Sequence, residues 1–163
     1  MGIHLLRCVQ VVPSSIGECW AFFSDPRNLE KITPPALDLH IVSELPPSIR
    51  PGLMIQYRVR PLFGVAMMWV SEITHVDAPH YFVDEQRIGP YALWHHEHSF
   101  REMSDGRTEI TDVVHYAPPL GVLGELVHPF LIGPQLKKIF GFREKAVQQR
   151  FGRQPLGGES TSS

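Results

Sequence analysis

The sequence predicts an α+β domain: an antiparallel sheet of about seven strands, two short helices after the first strand, and a mostly helical C-terminal third. Three observations predict it. Apolar and polar residues alternate with period two in stretch after stretch between Ile3 and Tyr116, the signature of strands with one buried face. Short turn signals such as Pro51-Gly52, Gly89-Pro90 and Ser104-Asp105-Gly106 separate those stretches, which favours antiparallel neighbours. Helical spacing is confined to Ser14–Ile32 and to the chain beyond Pro118-Pro119.

The elements follow in order. Ile3 to Val12 reads as a strand ended by Pro13. Ser14 offers an N-cap for a helix running to about Phe23, with Ile16, Cys19, Trp20 and Phe23 on one helical face. Asp25-Pro26 breaks it, and Arg27 to Ile32 forms a second short helix before Thr33-Pro34-Pro35. Leu37–Leu45 and Leu53–Arg60 read as strands; the second puts Ile55, Tyr57 and Val59 on one face and Met54, Gln56 and Arg58 on the other. Pro61 to Gly64 turns the chain into a long strand, Val65–Val76, whose inward set is read as Met67, Trp69, Ser71 and Ile73. Beyond Pro119, Leu120, Leu123, Val127 and Leu131 keep helical spacing, as do Leu136, Ile139, Phe140, Val147 and Phe151. Pro129 and Gly133-Pro134 kink or split that run, and Arg143 and Lys145 are expected on its solvated face. The domain is expected to span residues 1–151, and the Gly- and Ser-rich stretch 152–163 reads as a disordered tail.

Three consecutive strands between Phe82 and Tyr116 carry the chemistry. Trp94, His96, His98 and Phe100 share one face of the middle strand, and the two large aromatics mark that face as inward. The same reasoning turns Phe82, Asp84 and Gln86 inward on the first strand and Ile110, Asp112, Val114 and Tyr116 on the third, leaving Val83, Glu85 and Arg87 outside. Two carboxylates and two imidazoles among aromatics are costly as plain core, because buried polar groups need partners. They make better sense lining a cavity. A three-residue loop at Gly89-Pro90-Tyr91 sets Asp84 opposite His96. A short loop over Met103-Ser104-Asp105 sets His96 opposite Asp112, and a two-residue slip there would set His98 opposite Asp112 instead.

Composition removes several function classes. A formal net charge of −2 with scattered Lys and Arg residues gives no footprint for nucleic acid. No apolar run reaches the roughly 20 residues a membrane helix needs. The N-terminus reads as a strand rather than a secretory signal, and Cys8 and Cys19 lack metal-type spacing. The expected location is cytoplasmic, with both thiols reduced.

Over nearly its whole length, from about Ile3 to Phe151, the sequence resembles the START-like superfamily, also called SRPBCC, which has the helix-grip fold. The resemblance rests on Trp20-x-Phe22-Phe23-x-x-Pro26-x-Asn28-Leu29-x-x-Ile32-Thr33-Pro34 and Trp69-x-Ser71-Glu72-Ile73. It also rests on Asp84-Glu85-Gln86, Gly89-Pro90-Tyr91, Trp94-x-His96-x-His98-x-Phe100 and Asp112-x-Val114-x-Tyr116. More narrowly, it resembles a bacterial branch of small SRPBCC proteins. The resemblance implies a curved sheet wrapped around the long C-terminal helix with a cavity between them. Lipids, sterols, polyketides and other apolar molecules bind there in the superfamily, which also includes the birch-pollen allergen and aromatic polyketide cyclases.

The leading expectation is therefore a domain that binds a hydrophobic or aromatic small molecule. His98, Gln86, Trp69, Trp94, Phe82, Phe100, Tyr57 and Tyr116 are expected around the ligand. A second reading is a cyclase- or dehydratase-like enzyme in which His96, flanked by Asp84 and Asp112, moves a proton. A third is an interaction module with no small ligand. No cofactor is expected. His96 and His98 with a carboxylate could form a two-histidine metal site, but alternation turns His95 away, and no metal is expected either.

Overall fold

The computed structural model describes residues 2–61 and 64–152. The tail expected over 152–163 thus lies, apart from Gly152, outside the described residues. Seven strands form one antiparallel sheet: β1 (His4–Val12), β2 (His40–Ile41), β3 (Leu53–Val59), β4 (Met67–Asp77), β5 (Tyr81–Ile88), β6 (Leu93–Glu102) and β7 (Thr108–Ala117), in the order β1-β7-β6-β5-β4-β3-β2. Helix α1 (Ile16–Phe23) and a 3-10 turn (Pro26–Ile32) follow β1. After β7 come α2 (Val122–Val127), a π-helical turn (His128–Ile132) and α3 (Gly133–Phe151), a helical run of 30 residues against the curved sheet. This is the helix-grip arrangement.

Local chemistry explains most boundaries. Ser15, not Ser14, caps α1: its Oγ accepts from the Glu18 N–H while Glu18 Oε2 accepts from the Ser15 N–H, a complete capping box. The helix buries Cys19, Phe22 and Phe23 most fully, while Ile16 and Trp20 are half-buried at the edge of the core. Trp20 still packs edge-on against Phe82 and Phe100. Each fully buried phenylalanine contributes on the order of 1.5–3 kcal/mol, enough to pin α1 across the sheet. Asp25 caps the 3-10 turn through the Arg27 N–H.

The expected strand over Leu37–Leu45 shrinks to His40–Ile41. Side chains take over its pairing: the Ile41 N–H donates to Glu30 Oε1, and Ser43 Oγ accepts from the Gln56 N–H of β3. The β3 faces are as read, with Ile55, Tyr57 and Val59 buried. β4 carries register shifts at Val70/Ser71 and Ile73/His75, and such irregularities bend a strand and change which side chains face inward. Trp69, Ser71 and Ile73 face the interior as expected, yet Val70 is buried too. Val83 is a second departure: placed outside by its alternation, it is fully buried.

The inward face of α3 carries Leu136, Phe140, Arg143 and Val147, at spacings of four, three and four. Leu136 and Phe140 join Trp94, Val114, Tyr116 and Ile132 in one core cluster. Val147 joins a larger one around Phe22, Phe23, Ile55, Phe82 and Phe100. Two sequence expectations fail on this run. Arg143, expected on a solvated face with Lys145, is buried. Leu120, Leu123 and Val127, expected on a packing stripe, are exposed.

Candidate functional site

Two turns set the register of the central strands. Asp84 faces His96 across β5 and β6 as expected. Gln86 holds that turn closed: its amide donates to the Tyr91 carbonyl at 2.7 Å and accepts from the Tyr91 N–H at 3.2 Å. The Gln86 side chain lies where a Cβ on Gly89 would sit. At the other turn the expected pairing is corrected. His98, not His96, faces Asp112, because the loop runs over Met103–Arg107 rather than three residues. The Met103 N–H donates to the Arg107 carbonyl at 2.8 Å, and Gly106 takes the left-handed conformation at φ 80°.

The slip does not separate the histidines from Asp112. Three nitrogens surround Asp112 Oδ1: His96 Nε2, hydrogen-bonded at 3.0 Å, with His98 Nδ1 at 3.1 Å and Arg143 Nη2 at 3.4 Å. Asp84 Oδ2 accepts from His98 Nε2 at 2.7 Å and lies 3.6 Å from His96 Nδ1. The two imidazole centres are 3.8 Å apart, and Phe82 stacks on the outer side of His98 at 4.1 Å. Five polar side chains thus form one knot inside an apolar shell.

Protonation follows from the geometry. Burial alone would raise the Asp112 carboxyl, but Arg143 and the two imidazoles outweigh it and hold it well below its usual value. Burial likewise opposes ionisation of Asp84, and the hydrogen bond from His98 with the neighbouring imidazoles overcomes it. For His98, burial favours the neutral ring, yet hydrogen bonds to Asp112 and Asp84 raise its pKa. His96 goes the other way: burial and the neighbouring His98 push it down to about 4. The carboxylates of Asp84 and Asp112 are thus ionised at neutral pH, and a carboxylate at each ring nitrogen favours the protonated form of His98. His96 is neutral, with Nε2–H donated to Asp112 and Nδ1 left as a lone pair.

The knot sits at the wall of a cavity of about 170 Å³ between the sheet and α3. Of the expected site residues, Trp69, Trp94, Tyr57, Phe82, Asp84, His96 and His98 line it. Among the other expected site residues, Asp112 lies beneath the wall as the hub of the knot. Phe100 and Tyr116 are core residues behind the wall, and Gln86 is the turn clamp; none of these four lines the cavity. Asp84 is the member of the knot most open to the cavity, its side chain 21% exposed against 4–10% for the others. Among the described residues no protein group donates to its Oδ1.

Sequence reasoning missed Arg143 and underrated Tyr91, whose ring meets Trp69 and Trp94 at 5.8 and 4.9 Å. The signal for Arg143 was present: it falls three residues after Phe140 and four before Val147, in register with an apolar stripe. Ser71 completes the polar lining, accepting from Trp69 Nε1 at 3.1 Å.

Donor atoms of Asp84, His96 and His98 lie within 4.8 Å of one another, close enough for one metal ion to be shared. The charges work against it. A dication there would displace the proton of His98 and sit beside the Arg143 guanidinium, which is 3.3 Å from His98 Nδ1.

No family model matches the chain, and no curated protein does. Solved structures do match. A START superfamily protein from Mycobacterium smegmatis aligns with 90% of this chain and 99% of its own, at 16% identity and a TM-score of 0.64. The ginseng major latex-like protein 151 from Panax ginseng aligns over 93% and 99%, at 11% identity and a TM-score of 0.67. Protein Ms6760 from Mycobacterium smegmatis is 21% identical over 90% of this chain and 92% of its own, with a TM-score of 0.61. The chain has the START-like fold.

Proposed function

We propose that this helix-grip protein binds a small, mainly aromatic molecule in the cavity, with a hydrogen-bond donor on the ligand directed at Asp84. The observation that carries this reading is the pairing of an apolar hollow with one anionic group open to it. A cavity of about 150 Å³ lined by apolar side chains accommodates benzene, so about 170 Å³ suits a body of one or two rings. Trp69, Trp94, Tyr91 and Phe140 offer ring faces and edges to such a body. Asp84 is ionised and can only accept. Its Oδ2 is taken by His98, which leaves Oδ1 for a hydroxyl or amine of the ligand.

Binding is favoured over proton-transfer catalysis by the state of the imidazoles. A general base works best with a pKa near the working pH, and His96 at about 4 is a weak one. Both ring nitrogens of His98 are already engaged by carboxylates, which favours its protonated form. The free volume also argues against an interaction module whose interior is filled by side chains.

Native mass spectrometry of the freshly purified protein tests the reading. The expected result is an added mass of one small molecule, lost on denaturation and missing from Ile139→Trp, which fills the cavity from α3. A protein that emerges bare, and takes up none of a panel of one- and two-ring phenols and amines, would sink it.

A further inference from the structure

The helical run opens with a segment whose polarity is inverted. Leu120, Val122, Leu123, Leu126, Val127 and Phe130 all point outward, between 45% and 85% exposed. The polar side chains of the same segment point inward. Glu125 Oε1 accepts from the Gly2 N–H at 2.6 Å, and its Oε2 pairs with His4 Nε2 at 2.9 Å. His128 Nε2 meets the Tyr116 hydroxyl at 2.7 Å, with its ring stacked 3.7 Å from that of His4. Gly124 allows the close approach, since a Cβ there would collide with the Pro119 carbonyl. Leu120 is held in the left-handed region at φ 63°, a strained conformation for a leucine, while its side chain is presented to solvent.

Exposed apolar surface of this extent marks an interaction site. Charge decides what covers it. Between Pro118 and Phe140 the only acid is Glu125, already committed inward, and the only lysines or arginines are the exposed Lys137 and Lys138, His128 being turned inward on Tyr116. Pairing this face with a second copy of itself would gather two lysine pairs with no acid between them. An anionic bilayer surface complements both features.

We propose that Leu120–Phe130 is a membrane-surface docking strap, laying its outward leucines and Phe130 into the headgroup–acyl boundary of an anionic bilayer while Lys137 and Lys138 meet lipid phosphates. No described helix is long and apolar enough to cross a membrane, so the strap lies on the surface. It runs directly into α3, whose Gln135, Leu136 and Ile139 line the cavity. The docking does not require an occupied cavity.

Co-sedimentation with phosphatidylcholine vesicles, with and without phosphatidylglycerol, tests this. The wild-type protein should partition onto the anionic vesicles. The Leu126→Ser/Phe130→Ser variant should lose roughly tenfold or more of that partitioning, and Lys137→Glu/Lys138→Glu should remove the preference for anionic lipid. Both pairs are exposed, so thermal melts should match the wild type. The proposal is overturned if the wild-type protein stays in the supernatant with both vesicles, or if binding survives the apolar substitutions. It is equally overturned if sedimentation velocity shows a dimer that those substitutions dissociate while vesicles are ignored. None of these outcomes depends on whether the cavity binds a ligand.

Discussion

Asp112 shows how one carboxylate organises several groups. Both imidazoles and Arg143 gather about a single oxygen of it, and Asp84, hydrogen-bonded to His98 but 3.6 Å from His96, separates the two rings by raising the pKa of His98. The two rings then impose opposite pH dependences on stability. His98 has a raised pKa in the folded protein, so its contribution is complete below about pH 6.5 and is lost as pH rises through the raised value. His96 is depressed from 6.5 to about 4, so its contribution is complete above pH 6.5 and is lost as pH falls towards 4. The second loss is on the order of 3 kcal/mol. Together they predict a stability maximum near pH 6.5 from this pair. Urea unfolding between pH 4.5 and 9 checks it: His96→Gln should flatten the acid limb and spare the alkaline one. A wild-type acid limb that His96→Gln leaves unchanged would contradict the assignment. Arg143 is the residue that was hardest to place from sequence. An arginine on a helix ordinarily faces water, and here the buried Asp112 carboxylate 3.4 Å away reverses that preference.

Elements were legible where one force dominated. The alternation in β3, β6 and β7 reports a single buried face, and those faces are as read. β4 was ambiguous because both of its alternating sets are apolar and members of both are buried, Val70 beside Ser71 and Ile73, along a strand with two register shifts. The strand expected over Leu37–Leu45 was cut short by side chains that took its backbone partners, which periodicity does not report. The register of β6 against β7 turned on the length of one loop, and that decided which histidine faced Asp112. The helical strap misled for a different reason: leucine spacing signals an apolar face but not which way the face looks. Gly124 decides that here, because it alone lets α2 lie on the Pro118-Pro119 backbone. Gly124→Ala should therefore destabilise the protein by about 1–3 kcal/mol, whereas Gly141→Ala, with open space around its Cβ, should be neutral or stabilising. Thermal or urea melts of the two variants distinguish them, and equal effects would contradict the packing described for α2.

At the scale of the molecule, the antiparallel sheet and the long C-terminal helix leave a hollow because aromatic rings on both sides hold them apart. Trp69, Trp94 and Tyr91 meet one another edge-on or tilted on the sheet side, and Phe140 reaches from α3 to within 5.5 Å of His96. The order of strands and helices carried the fold in the sequence, and the inward carboxylates and imidazoles pointed to a cavity wall. The size of the hollow, and which polar group opens onto it, depended on packing that no spacing rule encodes. The claim at the centre is that this hollow takes an aromatic body with a donor aimed at Asp84. The direct test is to titrate the protein with p-cresol and with toluene, following the fluorescence of Trp69 and Trp94. The phenol should bind at least roughly tenfold more tightly than the hydrocarbon, as expected for a hydrogen bond to a charged acceptor, and Asp84→Asn should erase most of that difference. Equal affinity for the two compounds, or no saturable change with either, would contradict the account.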